Sequence, residues 1–142
     1  MPGDDPVSKV VYEWLAKAEN DLTNASHTLK LGEDCPTDTV CFHAQQCVEK
    51  YLKALLVSFK IDFPKTHDLA ELIALLPARI KISLTVSEQR QLTGYATVAR
   101  YPGADEPISL AEARNAISLA RRVRKQIKKY LAKNGNLPLF SK

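Results

Sequence analysis

The chain has 142 residues, 45% of them hydrophobic, and its 20 lysines and arginines exceed its 16 acidic residues for a net charge of +4. That length supports one domain whose core needs no disulfide staples. No apolar run is long enough to span a bilayer, and the opening "MPGDDPVSK" is acidic and has no apolar signal core, so the expected location is the cytoplasm.

The first predicted helix carries Val7, Val11, Trp14, Leu15, Ala18, Leu22, Ala25 and Leu29 at three-four spacing. "LGEDCPTD" interrupts it, with Gly32 as a stop and Pro36 followed by Thr37 or Asp38 as a start. A second long helix then runs to about Lys60. At 100° per residue, Cys41, Ala44, Val48, Tyr51, Leu55 and Phe59 share one sector. His43, Gln46, Lys50 and Lys53 fall in a narrow arc on the opposite side.

In "IDFPKTHDLAELIALLP", Asp68 and Glu71 have capping-box spacing before a short helix. Leu69, Leu72, Ile73 and Leu76 lie on one side of it, and Pro77 closes it. "RIKISLTV" alternates over a few residues, but a lone strand has no partner. Thr85 and Glu88 repeat the capping signature before a fourth helix, where Gly94 costs roughly 1 kcal/mol relative to Ala. "YPGADEP" is a loop. Ser109 and Glu112 then cap a last long helix with Ala113, Ala116, Ile117, Ala120, Val123, Ile127 and Leu131 on its core face.

The expected architecture is all-α: an up-and-down antiparallel helical bundle of three long helices and one or two shorter ones. A single helical domain over 1–135 would be followed by a frayed tail over 136–142.

Charge is uneven. From Met1 to Val40 acidic residues outnumber basic ones 8 to 3, and from Ser109 to Lys142 the balance is 9 basic to 1 acidic. Such asymmetry suits a docking surface for phosphate or an acidic partner, or helix decoration matched to the dipole. The three cysteines, Cys35, Cys41 and Cys47, cannot form a closed disulfide set within one chain. Their six-residue spacing turns each about 240° from the last, so they read as small buried hydrophobes rather than metal ligands. There is no phosphate-cradling glycine loop, no HExxH and no CxxC pair.

Three blocks in order, "FHAQQCVEKYLKALL", "FPKTHDL" and "YATVARYP", resemble the HEPN domain family, named for higher eukaryotes and prokaryotes nucleotide-binding. The resemblance runs from about Trp14 to Leu131. It implies a helical bundle paired as a homodimer and a connection to nucleotides or RNA. Many members of the family are metal-independent endoribonucleases, often toxins beside a small nucleotidyltransferase. Those active members share an Arg followed after four to six residues by His. The matching Arg here is Arg100, but Asp105, Glu106 and Pro107 stand where the His belongs. Metal-free RNA cleavage needs a group that exchanges protons near neutral pH. An ionised carboxylate there repels phosphate instead.

The expected site is therefore a phosphate-binding one, with no cofactor and no metal. It comprises His43, Gln46, Lys50 and Lys53 from the arc, with Arg100 for bidentate phosphate contact and Tyr101 for stacking on a base. Two other readings of the arc stand beside this one. It is a solvated face in which Glu49 and Lys53 form an i,i+4 pair, or it is partly buried with Phe42 in a dimer contact. Arg100 and Tyr101 have their own alternative, an Arg on carbonyls at a helix end above a packed Tyr. His67 reads as a first-turn residue bonding local backbone.

The expected function is that of a non-catalytic homodimer that binds a nucleotide or RNA, or docks a small nucleotidyltransferase in a toxin-antitoxin-like pair. The alternatives are a divergent endoribonuclease, with Arg100 on phosphate and His43 or His67 carrying the proton, and a purely structural dimerisation module.

Overall fold

A computed structural model describes residues 5–97 and 107–133. Five α-helices follow in order: α1 Pro6–Leu29, α2 Thr37–Ser58, α3 Leu69–Ala74, α4 Val86–Thr97 and α5 Leu110–Lys133. A single 3-10 turn, Gly32–Asp34, joins α1 to α2. No described residue lies in a strand. The expected frayed tail over 136–142 lies outside the described residues, as do Arg100 and Tyr101.

Local chemistry sets most boundaries. Asp5 caps α1 by accepting from the Ser8 amide at 2.8 Å, with Pro6 in the first turn. Gly32 takes the left-handed φ of 68° that the turn out of α1 requires. Asp68 caps α3 through the Ala70 and Glu71 amides. Thr85 and Glu88 form a reciprocal capping box, at 2.9 and 3.1 Å. At the end of α2, Ile61 donates to Leu56 and Lys60 to Val57, a Schellman closure with Lys60 at φ 59° in place of the usual glycine.

Side-chain pairs give the helix directions. Asp21 on α1 meets His43 and Lys50 on α2, while the earlier Trp14 meets Lys53, so α1 and α2 are antiparallel. Thr37 reaches the Ile108 carbonyl, which sets α2 and α5 side by side in the same sense. Arg122 meets Glu88 and Tyr95 meets Glu112, so α4 opposes α5. The result is an up-down-up-down bundle with α3 as a short lateral helix. In place of a partner strand, the extended backbone at Lys81 and Ser83 is satisfied by Gln126, Tyr130 and Arg122 of α5.

The predicted core face of α5 is buried, as is that of α1 apart from the partly buried Val7, Trp14 and Leu29, and α2 lies at the centre against α1, α3, α4 and α5. Thirteen of its 22 residues are buried, including Gln45, Glu49 and Lys53. The three cysteines are buried and none forms a disulfide. Burial pushes the Cys47 thiol up and keeps it protonated. No described helix is long and apolar enough to cross a membrane.

Candidate functional site

The polar side of α2 is organised by two buried carboxylates. Asp21, on α1, is 7% exposed. His43 Nδ1 lies 2.8 Å from its Oδ1, and the Lys50 ammonium donates to its Oδ2. Both partners remain partly exposed. The carboxylate accepts, so in the neutral ring Nδ1 carries the hydrogen and Nε2 keeps its lone pair. The exposed Phe42 ring packs edge-on against His43, with centroids 5.4 Å apart.

Glu49 is the second carboxylate, 3% exposed. It accepts from Lys53 Nζ at 2.9 Å, His67 Nδ1 at 2.8 Å and Gln45 Nε2 at 3.1 Å. Gln45 Nε2 also donates to the His67 carbonyl, and Gln46 donates to Gln45 Oε1 at 2.7 Å. Burial pushes the Glu49 carboxyl up, but the hydrogen bonds from Lys53, His67 and Gln45 outweigh it and hold the group below its ordinary range. The Lys53 ammonium lies 5.4 Å from the Trp14 ring centroid and 5.6 Å from that of Phe63. This network fastens the segment leading into α3 onto α2.

The predicted arc is therefore divided. His43 and Lys50 converge on Asp21, and Gln46 joins the Glu49 network. The opposite-face position expected for Lys53 is corrected: it is buried at 7% exposure between a carboxylate and two rings. The Glu49–Lys53 pair exists at its i,i+4 spacing, but inside the bundle rather than on a solvated face. The wheel ranks residues by one apolar sector, whereas a central helix is covered on several sides. The reading of His67 as a first-turn residue on local backbone is corrected: it precedes the α3 cap, its ring bonds the Glu49 carboxylate 18 residues away on α2, and its carbonyl accepts from Gln45.

Sequence reasoning missed Asp21, Gln45 and the reach of Glu49. A signal existed for each. Asp21 sits three residues after Ala18 and four before Ala25, at the margin of the α1 core stripe. Gln45, Glu49 and Lys53 form a continuous i,i+4,i+8 polar row.

Comparison with known proteins agrees with this architecture. A family model described as HEPN domain matches residues 11–130. The crystal structure of TT1696 from Thermus thermophilus superposes with a TM-score of 0.71 at 28% identity, covering 84% of this chain and 96% of that one. The structure of ST0689, an archaeal HEPN homologue, gives a TM-score of 0.66 at 26% identity, covering 85% of this chain and 97% of that one. A search of curated proteins gave no match.

Proposed function

This chain belongs to the HEPN domain family, and from that premise we propose that it binds a nucleotide or RNA by its phosphate without cleaving it. The observation that carries this reading is the Asp21 clamp, which holds His43 and Lys50 together at a partly exposed surface. On this reading His43, Gln46 and Lys50 supply donors, Arg100 supplies a bidentate guanidinium and Tyr101 stacks on the base. Lys53 acts from beneath, as a positioning residue that holds Glu49. The protein works in the cytoplasm as a homodimer with Phe42 in the contact. It docks a small nucleotidyltransferase in a toxin-antitoxin-like pair.

Titration with ATP tests the site. Lys50→Ala and Arg100→Ala are each expected to weaken ATP binding roughly tenfold, the usual cost of one charge-assisted contact. Unchanged affinity in both variants sinks the assignment, and no ATP or RNA binding at all leaves a structural dimerisation module.

Assembly is read separately. Multi-angle light scattering is expected to give twice the chain mass at micromolar concentration, and a monomer mass throughout counts against the homodimer.

A second reading, a divergent ribonuclease, has its own support. His43 and His67 each place Nδ1 on a buried carboxylate, the arrangement that orients an imidazole as a general base. No cleavage of single-stranded RNA is expected in chelator-treated protein. Cleavage that vanishes in His43→Ala would put this reading first.

A further inference from the structure

We propose that the groove between α1 and α5 is a binding track for the backbone of single-stranded RNA. The groove has a volume of about 790 Å³, and among the described residues six cationic side chains line it against a single carboxylate. Arg121, Arg124, Lys125, Lys128 and Lys129 come from α5, and Lys30 stands on the α1 wall. The carboxylate is Glu19. Arg124 Nε reaches both of its oxygens at 3.0 Å, and Lys128 Nζ lies 2.9 Å from Oε1. Burial pushes the Glu19 carboxyl up, and the Arg124 and Lys128 bonds more than offset this, so it stays ionised.

One acid does not balance this groove. Lys30, Lys125 and Lys129 form no ion pair with any described residue. Among the described residues, Arg121 makes only a hydrogen bond to Ser26 Oγ at 3.2 Å.

Dipole matching does not account for the excess. That effect fades within the last turn, whereas Arg121 lies roughly 18 Å before the end of α5 at Lys133. Arg121, Lys125 and Lys129 form an i,i+4,i+8 row of like charges, which disfavours the helix that carries it. The row places one cation per turn, about 5–6 Å apart, a spacing that lets consecutive phosphates of an extended strand each meet one.

The groove also discriminates among polyanions. A bilayer surface does not enter a concavity between two helices. The apolar face of α5, with Ile127 and Leu131 at 0% exposure, is committed to the core and unavailable for insertion. Glu19 repels phosphate and carboxylate alike, but as an ionised acceptor it takes a hydrogen bond from a ribose 2′-hydroxyl, a donor that deoxyribose lacks. The inference stands on α1 and α5 and does not depend on the α2 face.

The test is fluorescence anisotropy of the full chain with a short labelled oligouridylate across a salt series. The logarithm of affinity should fall with log salt by about 0.7 for each phosphate contacted. Lys125→Glu/Lys129→Glu should lower affinity by at least about tenfold and flatten that slope by about 1.4. Lys30→Glu, on the opposite wall, should give a loss in the same direction without touching α5. Lys9→Glu/Arg90→Glu, which matches the charge change away from the groove, should remain within about twofold of the parent. The deoxy oligonucleotide of matching sequence should bind more weakly than the RNA. The proposal is overturned if groove and control variants lose affinity equally, or if the groove variants bind as the parent does. Tighter binding of polyglutamate or of phosphatidylserine vesicles than of RNA overturns it as well.

Discussion

Glu49→Ala should lower the melting temperature by roughly 10–17 °C, the consequence of losing about 3–5 kcal/mol from a domain of this size. Glu49 is 3% exposed and holds three donors, from Lys53, His67 and Gln45. Its removal leaves the Lys53 ammonium at 7% exposure with only the Trp14 and Phe63 rings beside it. An uncompensated buried charge costs more than the pair contributes net. Lys53→Met should therefore be milder, and Glu49→Ala/Lys53→Met should lie much nearer the parent than the sum of its single changes. Urea unfolding of the four proteins measures the coupling. A Glu49→Ala variant within about 0.5 kcal/mol of the parent would mean that water reaches the pair.

The same carboxylate sets a pH dependence. Its folded pKa lies below the ordinary value of 4.5. The stabilisation is thus fully present above 4.5 and is lost as pH falls through the lower folded value. The stability gap between parent and Glu49→Ala should be level near neutrality and narrow only in acid.

Leu55→Ala should cost about 2–5 kcal/mol, seen as a lower urea midpoint at unchanged slope. Leu55 is 0% exposed on the helix that α1, α3, α4 and α5 all contact. Neighbours fixed by their own packing collapse only partly into the space, so the cavity adds to the lost transfer energy. Val86→Ala is the contrast. Val86 is 61% exposed at the start of α4, and its loss should change stability by no more than about 0.5 kcal/mol.

These two sites mark where sequence reading holds and where it stops. The helices are legible in the chain because their causes are local. The three-four spacing of Val11, Leu15, Ala18, Leu22 and Ala25 commits α1 to one buried face. The Thr85–Glu88 box starts α4 through bonds spanning three residues. Leu55 in the core follows from the same periodicity.

The candidate site is legible only in part. His43, Gln46 and Lys50 are identifiable as a polar group on α2, but Asp21, the partner of His43 and Lys50, is on α1, 22 residues before His43. Whether Glu49 and Lys53 face water or the interior depends on the approach of Trp14 and Phe63, which no spacing within α2 encodes. The basic run of α5 is plain in the sequence, but its facing wall is not. Lys30 and Ser26 oppose it only because α1 and α5 pack antiparallel, with Glu19 bound to Arg124 and Lys128. Periodicity decides which side of a helix is apolar. Only the packing of helices distant in sequence decides which polar groups are desolvated, which are paired and which are left to meet a ligand.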